Sequence, residues 1–357
     1  MKGSKCLGFS VYPSTWHRYK KQLTSLYIKG SIVFTSLHIA EEMDERYVKN
    51  VEEMMGFLNQ IGYEIIADVS KRTLEIFEEE SLEKIAKRFR INIIRIDFGF
   101  TDQEVFEACQ SVEICLNAST ITEEFAIKLK ETGKRFYAMH NFYPRPETGI
   151  DEEQFDETNH FLSIHGFEII AFIAGNESLR GPIFEGLPTM EKHRHMPPYI
   201  SFVDLLLNHG VREIFIGDGL ITKDEAEKIY GVINDDVYCI PAKLNENYKH
   251  LFGKIFTIRR DSPKDIIRFQ ESREYGTPGE LIEPENTVIR KPGQITMDNK
   301  MYKRYSGEIQ IVKKEYPKDT RVNVIGSVNK TYQDVFLKAL KNGSKIRLVN
   351  NHASKIN

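Results

Sequence analysis

Eight short β-branched or apolar runs fill the first two-thirds of the chain, each ending on a polar or otherwise functional residue and each followed by a helix-like stretch. They are Leu7–Tyr12, Ile32–Ser36, Glu64–Asp68, Asn92–Asp97, Glu113–Asn117, Phe136–His140, Glu168–Ile173 and Glu213–Asp218. Eight strand–helix units over roughly 240 residues match the size of a (β/α)8 TIM-like barrel, whose active site lies at the carboxyl ends of its strands. An open doubly wound sheet is the competing architecture. It usually carries a glycine-rich phosphate turn after an early strand, yet neither GxGxxG nor GxxxxGKS/T occurs here.

The intervening segments read as helices. Residues Asp44–Ile61 space Tyr47, Val48, Val51, Met54, Met55 and Leu58 along one face, and Gly62 follows as a stop. Ser81–Phe89, Thr122–Thr132, Asp151–His165 and Thr222–Tyr230 repeat the pattern. Strands alternating with helices of this length predict a parallel sheet with right-handed crossovers. The connection Ala174–Pro198 is the odd one, rich in Gly, Pro, Arg, His and Glu but still carrying Ile183, Phe184, Leu187 and Met190. Such a long connection is expected to be an ordered loop over the barrel mouth.

After Tyr238–Leu244 the texture changes to short alternating runs at Thr287–Arg290, Ile309–Val312, Val322–Ile325 and Ile346–Val349, with turns between them and one helix at Thr331–Leu340. The prediction is an α/β barrel over 1–242 and a small β-rich domain over 243–357. A chain of 357 residues is long enough for two cores.

With 49 basic and 52 acidic side chains the net charge is only −3, and no charge block stands out. That argues against a nucleic-acid or membrane-surface role carried by electrostatics. Four scattered cysteines without a CxxC pair read as reduced core residues. No segment has the roughly 18 apolar residues that a membrane span needs, and the amino terminus lacks a signal-peptide core. The chain is expected in the cytoplasm.

The strand ends carry the candidate chemistry. Asp68 and Asp97 each finish an apolar strand with a carboxylate, a costly position unless the charge has a partner or a task; capping the next helix is the competing reading. Arg95 shares a strand face with Asp97, which points to a cluster at the mouth. Asn117, His140 and Asp218 end three other strands. The segment His140-Asn141-Phe142-Tyr143-Pro144-Arg145 packs an imidazole, an amide, two aromatics and a guanidinium into a loop stiffened by proline, which suits binding. Arg180, Lys192, His193 and Arg194 could take a phosphate or carboxylate, against the alternative of a self-paired charge run. His193 and His195 could ligate a metal, but no third ligand follows by motif. Glu41 stands at a helix entrance, where negative charge is favourable in any case. Trp16, the sole tryptophan, reads as either a sugar platform or core.

In order along the chain, GFSVYP, FTSLHIAEE, ADVS, RIDFGF, LNAST, HNFYPRPETG, RGPIFEGLPTMEKHR and IGD closely resemble the 6-phospho-N-acetylmuramidase family. The resemblance covers essentially the whole chain. It implies a TIM-like barrel followed by a cyclophilin-like β-barrel domain. It also implies an intracellular glycosidase that cleaves 6-phospho-N-acetylmuramyl-β-1,4-N-acetylglucosamine in peptidoglycan recycling, without metal or organic cofactor.

On that basis Asp97 is expected as nucleophile or base and Glu185 as general acid, with Asp68 as alternate. Glycosidic hydrolysis generally needs such a pair, and the apolar neighbours of Glu185 would raise its carboxyl pKa. Asn117 and Asn141 would hold sugar hydroxyls or the N-acetyl group, and the cations would hold the phosphate and lactyl carboxylate. Assistance by the substrate's own acetamido group is a distinct route. The second domain would wall the cleft or mediate dimer contacts, with a homodimer as one outcome. Two rivals remain open: another phosphosugar enzyme on the same barrel, and a sugar-phosphate sensor. No strand ends in the lysine that a Schiff-base aldolase needs, which counts against that enzyme. The glycosidase reading requires Asp97, His140 and Glu185 to meet around one opening.

Overall fold

Alternation within each strand decides which side chains fill the first unit of the structure. The computed structural model describes residues 5–37, 46–96, 99–272 and 282–350. Its first strands are β1 (Cys6–Ser10), β2 (Ile32–Ser36), β3 (Glu64–Val69), β4 (Ile93–Ile96), β5 (Glu113–Asn117), β6 (Phe136–Met139), β7 (Phe167–Ile173) and β8 (Glu213–Ile216). All pair in parallel and in sequence order, and β8 returns to β1 through Cys6↔Glu213 and Phe9↔Ile216, closing the barrel. The TIM-like fold expected from the sequence is present.

Every second residue points inward. Ile32, Phe34, Ile66, Ile93, Cys115, Tyr137, Met139, Ile170, Phe172 and Phe215 form one buried cluster. Its rings meet edge to face: Phe34 with Phe172 at 5.6 Å between centroids, and Phe172 with Phe142 at 5.2 Å. Gly8 makes this possible, because a Cβ there would lie 2.3 Å from the Phe215 ring.

The helices are α1 (Trp16–Leu26), α2 (Tyr47–Ile61), α3 (Lys71–Ile76), α4 (Leu82–Phe89), α5 (Asp102–Ala108), α6 (Glu123–Glu131), α7 (Glu152–Ile164), α8 (Pro198–Leu207) and α9 (Lys223–Asp235). Their starts obey capping chemistry. The Ser81 hydroxyl accepts from Lys84 N at 3.2 Å, Asp151 accepts from Gln154 N at 2.9 Å, and Thr101 and Glu104 form a capping box. Gly62, at φ 103°, ends α2 with its N–H on Leu58 O. Trp16 is 1% exposed and packs on Phe57, so it belongs to the core. The four cysteines are free thiols. Among the described residues no helix is long and apolar enough to cross a membrane.

The chain divides into two compact units, 1–226 and 227–357. The second holds a seven-stranded sheet of β9 (Val237–Leu244), β10 (Ile255–Thr257), β11 (Ile266–Arg268), β12 (Gln294–Asp298), β13 (Ile309–Val312), β14 (Val322–Val328) and β15 (Lys345–Asn350), in the order β10-β15-β9-β14-β12-β13-β11. Only β9 and β15 run parallel; the other neighbours are antiparallel. The expected strand at Thr287–Arg290 does not form. Arg290 makes one isolated bridge to Tyr316 and holds Pro317 O with its guanidinium. The helix expected at Thr331–Leu340 is shorter, Gln333–Leu337.

Candidate active site

Above the aromatic layer, the last inward positions of β1 to β4 turn polar. Asp68 ends β3 at 6% exposure, beside Arg95 of β4 at 5%. Arg95 Nη1 donates to Asp68 Oδ1 at 2.8 Å, and its Nη2 donates to Asn141 Oδ1 at 2.9 Å. Ser36, at the end of β2, donates to Asp68 Oδ2 at 3.4 Å. Ser10 ends β1 in register with inward-facing Phe34, and its buried Oγ has no hydrogen-bond partner among the described residues. Among the described residues, four strands and the loop after β6 thus place one buried ion pair beside three neutral hydrogen-bonding groups, Ser10, Ser36 and Asn141. Breaking such a pair strands a buried charge, at a cost of about 3–5 kcal/mol.

Two loops stand over this polar cluster, the one after β6 and the long one after β7. Arg194, 5% exposed, binds them together. Its Nε and Nη2 each reach the Glu191 carboxylate at 2.6 Å, while Nη1 donates to Tyr143 O and Gly186 O, both at 3.0 Å, and Nη2 to Arg145 O at 3.2 Å. Glu191 accepts further from Glu147 N and Gly149 N. The Arg194 hydrogen bonds hold the Glu191 carboxyl down to about 2. Asp218, just beyond β8, accepts from Gly175 N, Arg180 N and Leu187 N, each at 2.9 Å. Burial pushes its carboxyl upward, against those three donors. The expectation of an ordered loop is met, and its order comes from Arg194 and Asp218.

Those contacts revise several expected roles. Arg194 and Asp218 hold backbone, so their charges are committed to loop structure. Lys192 and His193 turn away from the mouth into the helix layer. His193 Nε2 lies 2.9 Å and Lys192 Nζ 2.8 Å from Asp204 Oδ2 on α8, and Lys192 also pairs with Glu152 of α7 at 3.1 Å. Burial lowers the His193 pKa. Burial opposes the Asp204 carboxylate, but hydrogen bonds from His193, His209 and Lys192 outweigh it and keep the carboxyl far below its usual range. His195 is exposed, so it and His193 do not form a metal pair.

His140 is likewise corrected. It follows an inward-facing Met139, so its ring points outward, stacks on Phe155 at 4.6 Å and places Nε2 2.8 Å from Asn159 Oδ1 on α7. Burial lowers its pKa to about 4, so the ring is neutral at physiological pH. The three-way meeting of Asp97, His140 and Glu185 therefore does not occur as expected. Asp97 and Glu41 lie outside the described residues.

Other expected residues stay at the rim. Glu185 is exposed, as are Ile183 and Phe184, so the apolar burial expected around Glu185 is absent. Arg145 is exposed and Tyr143 half-buried, and burial pushes the Tyr143 phenol upward. Asn117 accepts from Ser119 N and Oγ at 3.1 and 2.7 Å. Arg180 lies flat on Tyr12, its Cζ 3.6 Å from the ring centroid, and the Tyr12 hydroxyl donates to Gly217 O. Asn159, Asp204, Glu191, Ser10 and Tyr12 were not foreseen, because their partners are distant in sequence. The Glu191 to Arg194 spacing was the one readable signal, an i,i+3 pair. Among the described residues, the one group of three side chains positioned to share a metal is Glu152, Asp156 and His209, on the helix layer and away from this polar cluster.

Two family models cover nearly all of the chain. Residues 7–230 match the one described as 6-phospho-N-acetylmuramidase, N-terminal, and residues 239–349 match its C-terminal counterpart. A crystal structure of a conserved Enterococcus faecalis protein of unknown function is 31% identical, with TM-score 0.79 and 97% of each chain covered. An uncharacterised B. cereus protein is 22% identical with TM-score 0.76, over 97% of this chain and 99% of that one; it shows the fold alone. No protein of curated function matches the chain.

Proposed function

Because this chain belongs to the 6-phospho-N-acetylmuramidase family, we propose that it is a cytoplasmic glycosidase that hydrolyses 6-phospho-N-acetylmuramyl-β-1,4-N-acetylglucosamine. The products are N-acetylmuramic acid 6-phosphate and N-acetylglucosamine. The observation that carries the reading is the buried Asp68–Arg95–Asn141 array at the strand ends, roofed by two clamped loops. Polar groups held this rigidly suit a sugar whose hydroxyls and acetamide must be oriented before its bond is broken.

Asp97 serves as nucleophile or base and Glu185 as general acid. Glu185 is exposed, so its acid role requires the substrate itself to cover the side chain and exclude water. Asp68, gripped by Arg95, is placed to accept a hydrogen bond from the sugar and to fix negative charge near the anomeric carbon. The same position suits an orienting carboxylate if the 2-acetamido group attacks. Arg180, braced on Tyr12, is the mouth cation best placed for the phosphate or the lactyl carboxylate.

The test is incubation with the phosphorylated disaccharide and detection of free N-acetylglucosamine. Turnover is expected for the wild type and a drop of about 10²-fold or more for Glu185→Gln and for Asp97→Asn. No release from the disaccharide by folded wild-type protein would remove the hydrolase reading and leave that of a sugar-phosphate sensor.

A further inference from the structure

The loop after β7 sends its apolar side chains in two directions. Leu187 and Met190 are buried, at 2% and 0% exposure, whereas Ile183 and Phe184 project outward at 44% and 61%. The projecting segment is short and pinned on both sides. Asp218 takes the N–H of Arg180 before it and of Leu187 after it, and Arg194 holds the Gly186 carbonyl. Phe184 is also fixed from within. Its N–H donates to Arg180 O at 3.3 Å, and the tip of its ring rests against Gly181, where a Cβ would stand 3.0 Å from Cζ. Its φ of 61° is a conformation that a bulky residue rarely adopts. The other non-glycine residues with positive φ, among those described, are all charged or amides. An aromatic ring held in an unfavourable backbone well and left mostly in water adds little to packing. Such outliers gather at ligand clamps.

We propose that Phe184 is the platform for the leaving sugar, its ring packing on the C–H face of N-acetylglucosamine while Glu185 protonates the oxygen that joins the two sugars. The inference rests on the glycosidase reading above and deepens it. Charge separates the two halves of the substrate. The phosphorylated sugar calls for Arg180 and for the Asp68–Arg95–Asn141 array, which are charged or polar. N-acetylglucosamine carries no charge, and a β-linked pyranose ring turns a face of C–H groups outward that gains by leaving water. An exposed aromatic ring at the rim offers that face a partner. Phe184 also stands one residue before Glu185, so a sugar seated on the ring covers the acid and supplies the exclusion of water that its role requires.

The experiment compares the full-length wild type with Phe184→Asn and Phe184→Tyr. Asparagine tolerates the positive φ, so Phe184→Asn should unfold at the wild-type temperature or higher; if it fails to fold, Phe184→Gly takes its place. With the phosphorylated disaccharide, kcat/KM should fall about tenfold or more in Phe184→Asn and stay near the wild type in Phe184→Tyr, which keeps the ring. N-acetylmuramic acid 6-phosphate, which lacks the leaving sugar, should inhibit all three with the same constant. Unchanged kcat/KM in Phe184→Asn would overturn the proposal. So would an equal loss in Phe184→Tyr, or inhibition by the phosphorylated sugar that weakens in parallel. If the folded wild type releases no N-acetylglucosamine, the glycosidase reading has failed, and calorimetric binding of the intact disaccharide decides on Phe184 alone. Tenfold weaker binding by Phe184→Asn then upholds the platform, and equal or absent binding overturns it.

Discussion

His140 shows how one side chain can hold a conspicuous place in a motif and yet serve packing. Its ring is neutral, buried between β6 and α7 and satisfied by Asn159. With a pKa lowered from 6.5 to about 4 by burial, the folded protein binds fewer protons here than the unfolded chain across that interval. Stability from this group is therefore complete above pH 6.5 and is lost as pH falls toward 4, by about 3 kcal/mol in all. Urea unfolding at pH 7 and pH 5 checks this: the wild type should lose more stability than His140→Gln between the two conditions. Equal losses would mean that the ring titrates normally. The sequence showed that an imidazole ends this strand. It could not show that position 140 faces outward, because a shift of one residue at the strand end reverses the face.

At the scale of elements, the strands were the most legible part. Their β-branched runs alternate with capped helices, and β2 and β5 have the bounds that the pattern predicts. Four helices, α1, α3, α5 and α8, lie outside the segments read as helical, and α1 and α8 escaped notice for opposite reasons. In α1 only Trp16, Leu23 and Leu26 are buried, too few to produce a clear apolar period. In α8 nearly every residue is buried, so no polar face marks the period. The paired loops were legible as a feature but not in their wiring, since the bonds of Arg194 to Tyr143 and Arg145 span about 50 positions. Replacing Arg194 by Lys keeps the charge but loses the fork. Loss of the bidentate Glu191 contact and of three backbone partners should destabilise the protein by about 3–5 kcal/mol. Hydrogen exchange should then speed up at residues 143–149 and 185–191 while the strands keep their protection. Unchanged exchange in both loops would show that the clamp is redundant.

For the whole barrel, closure depends on one glycine facing one ring. Gly8→Ala should cost about 1–3 kcal/mol through overpacking against Phe215. Thermal unfolding of Gly8→Ala, Phe215→Leu and the double variant measures the coupling; additive losses would argue against direct contact. Fold class was readable at this scale because repetition of eight units leaves few alternatives. The site was less so. Asp68 was legible as a strand-end carboxylate and Arg95 only as a neighbour of Asp97; that Arg95 pairs with Asp68, and that Asn141 and Ser36 join them, follows only from the closed geometry.

Phe34, Phe172 and Phe215, with Met139 and Ile170 beside them, stopper the bore of the barrel. Whatever enters above Asp68 and Arg95 must leave by the same doorway. Under the proposed chemistry both sugars and the water that splits them share that single entrance. A departing product and the next substrate then compete for one threshold, and the enzyme's pace is open to restraint by its own products.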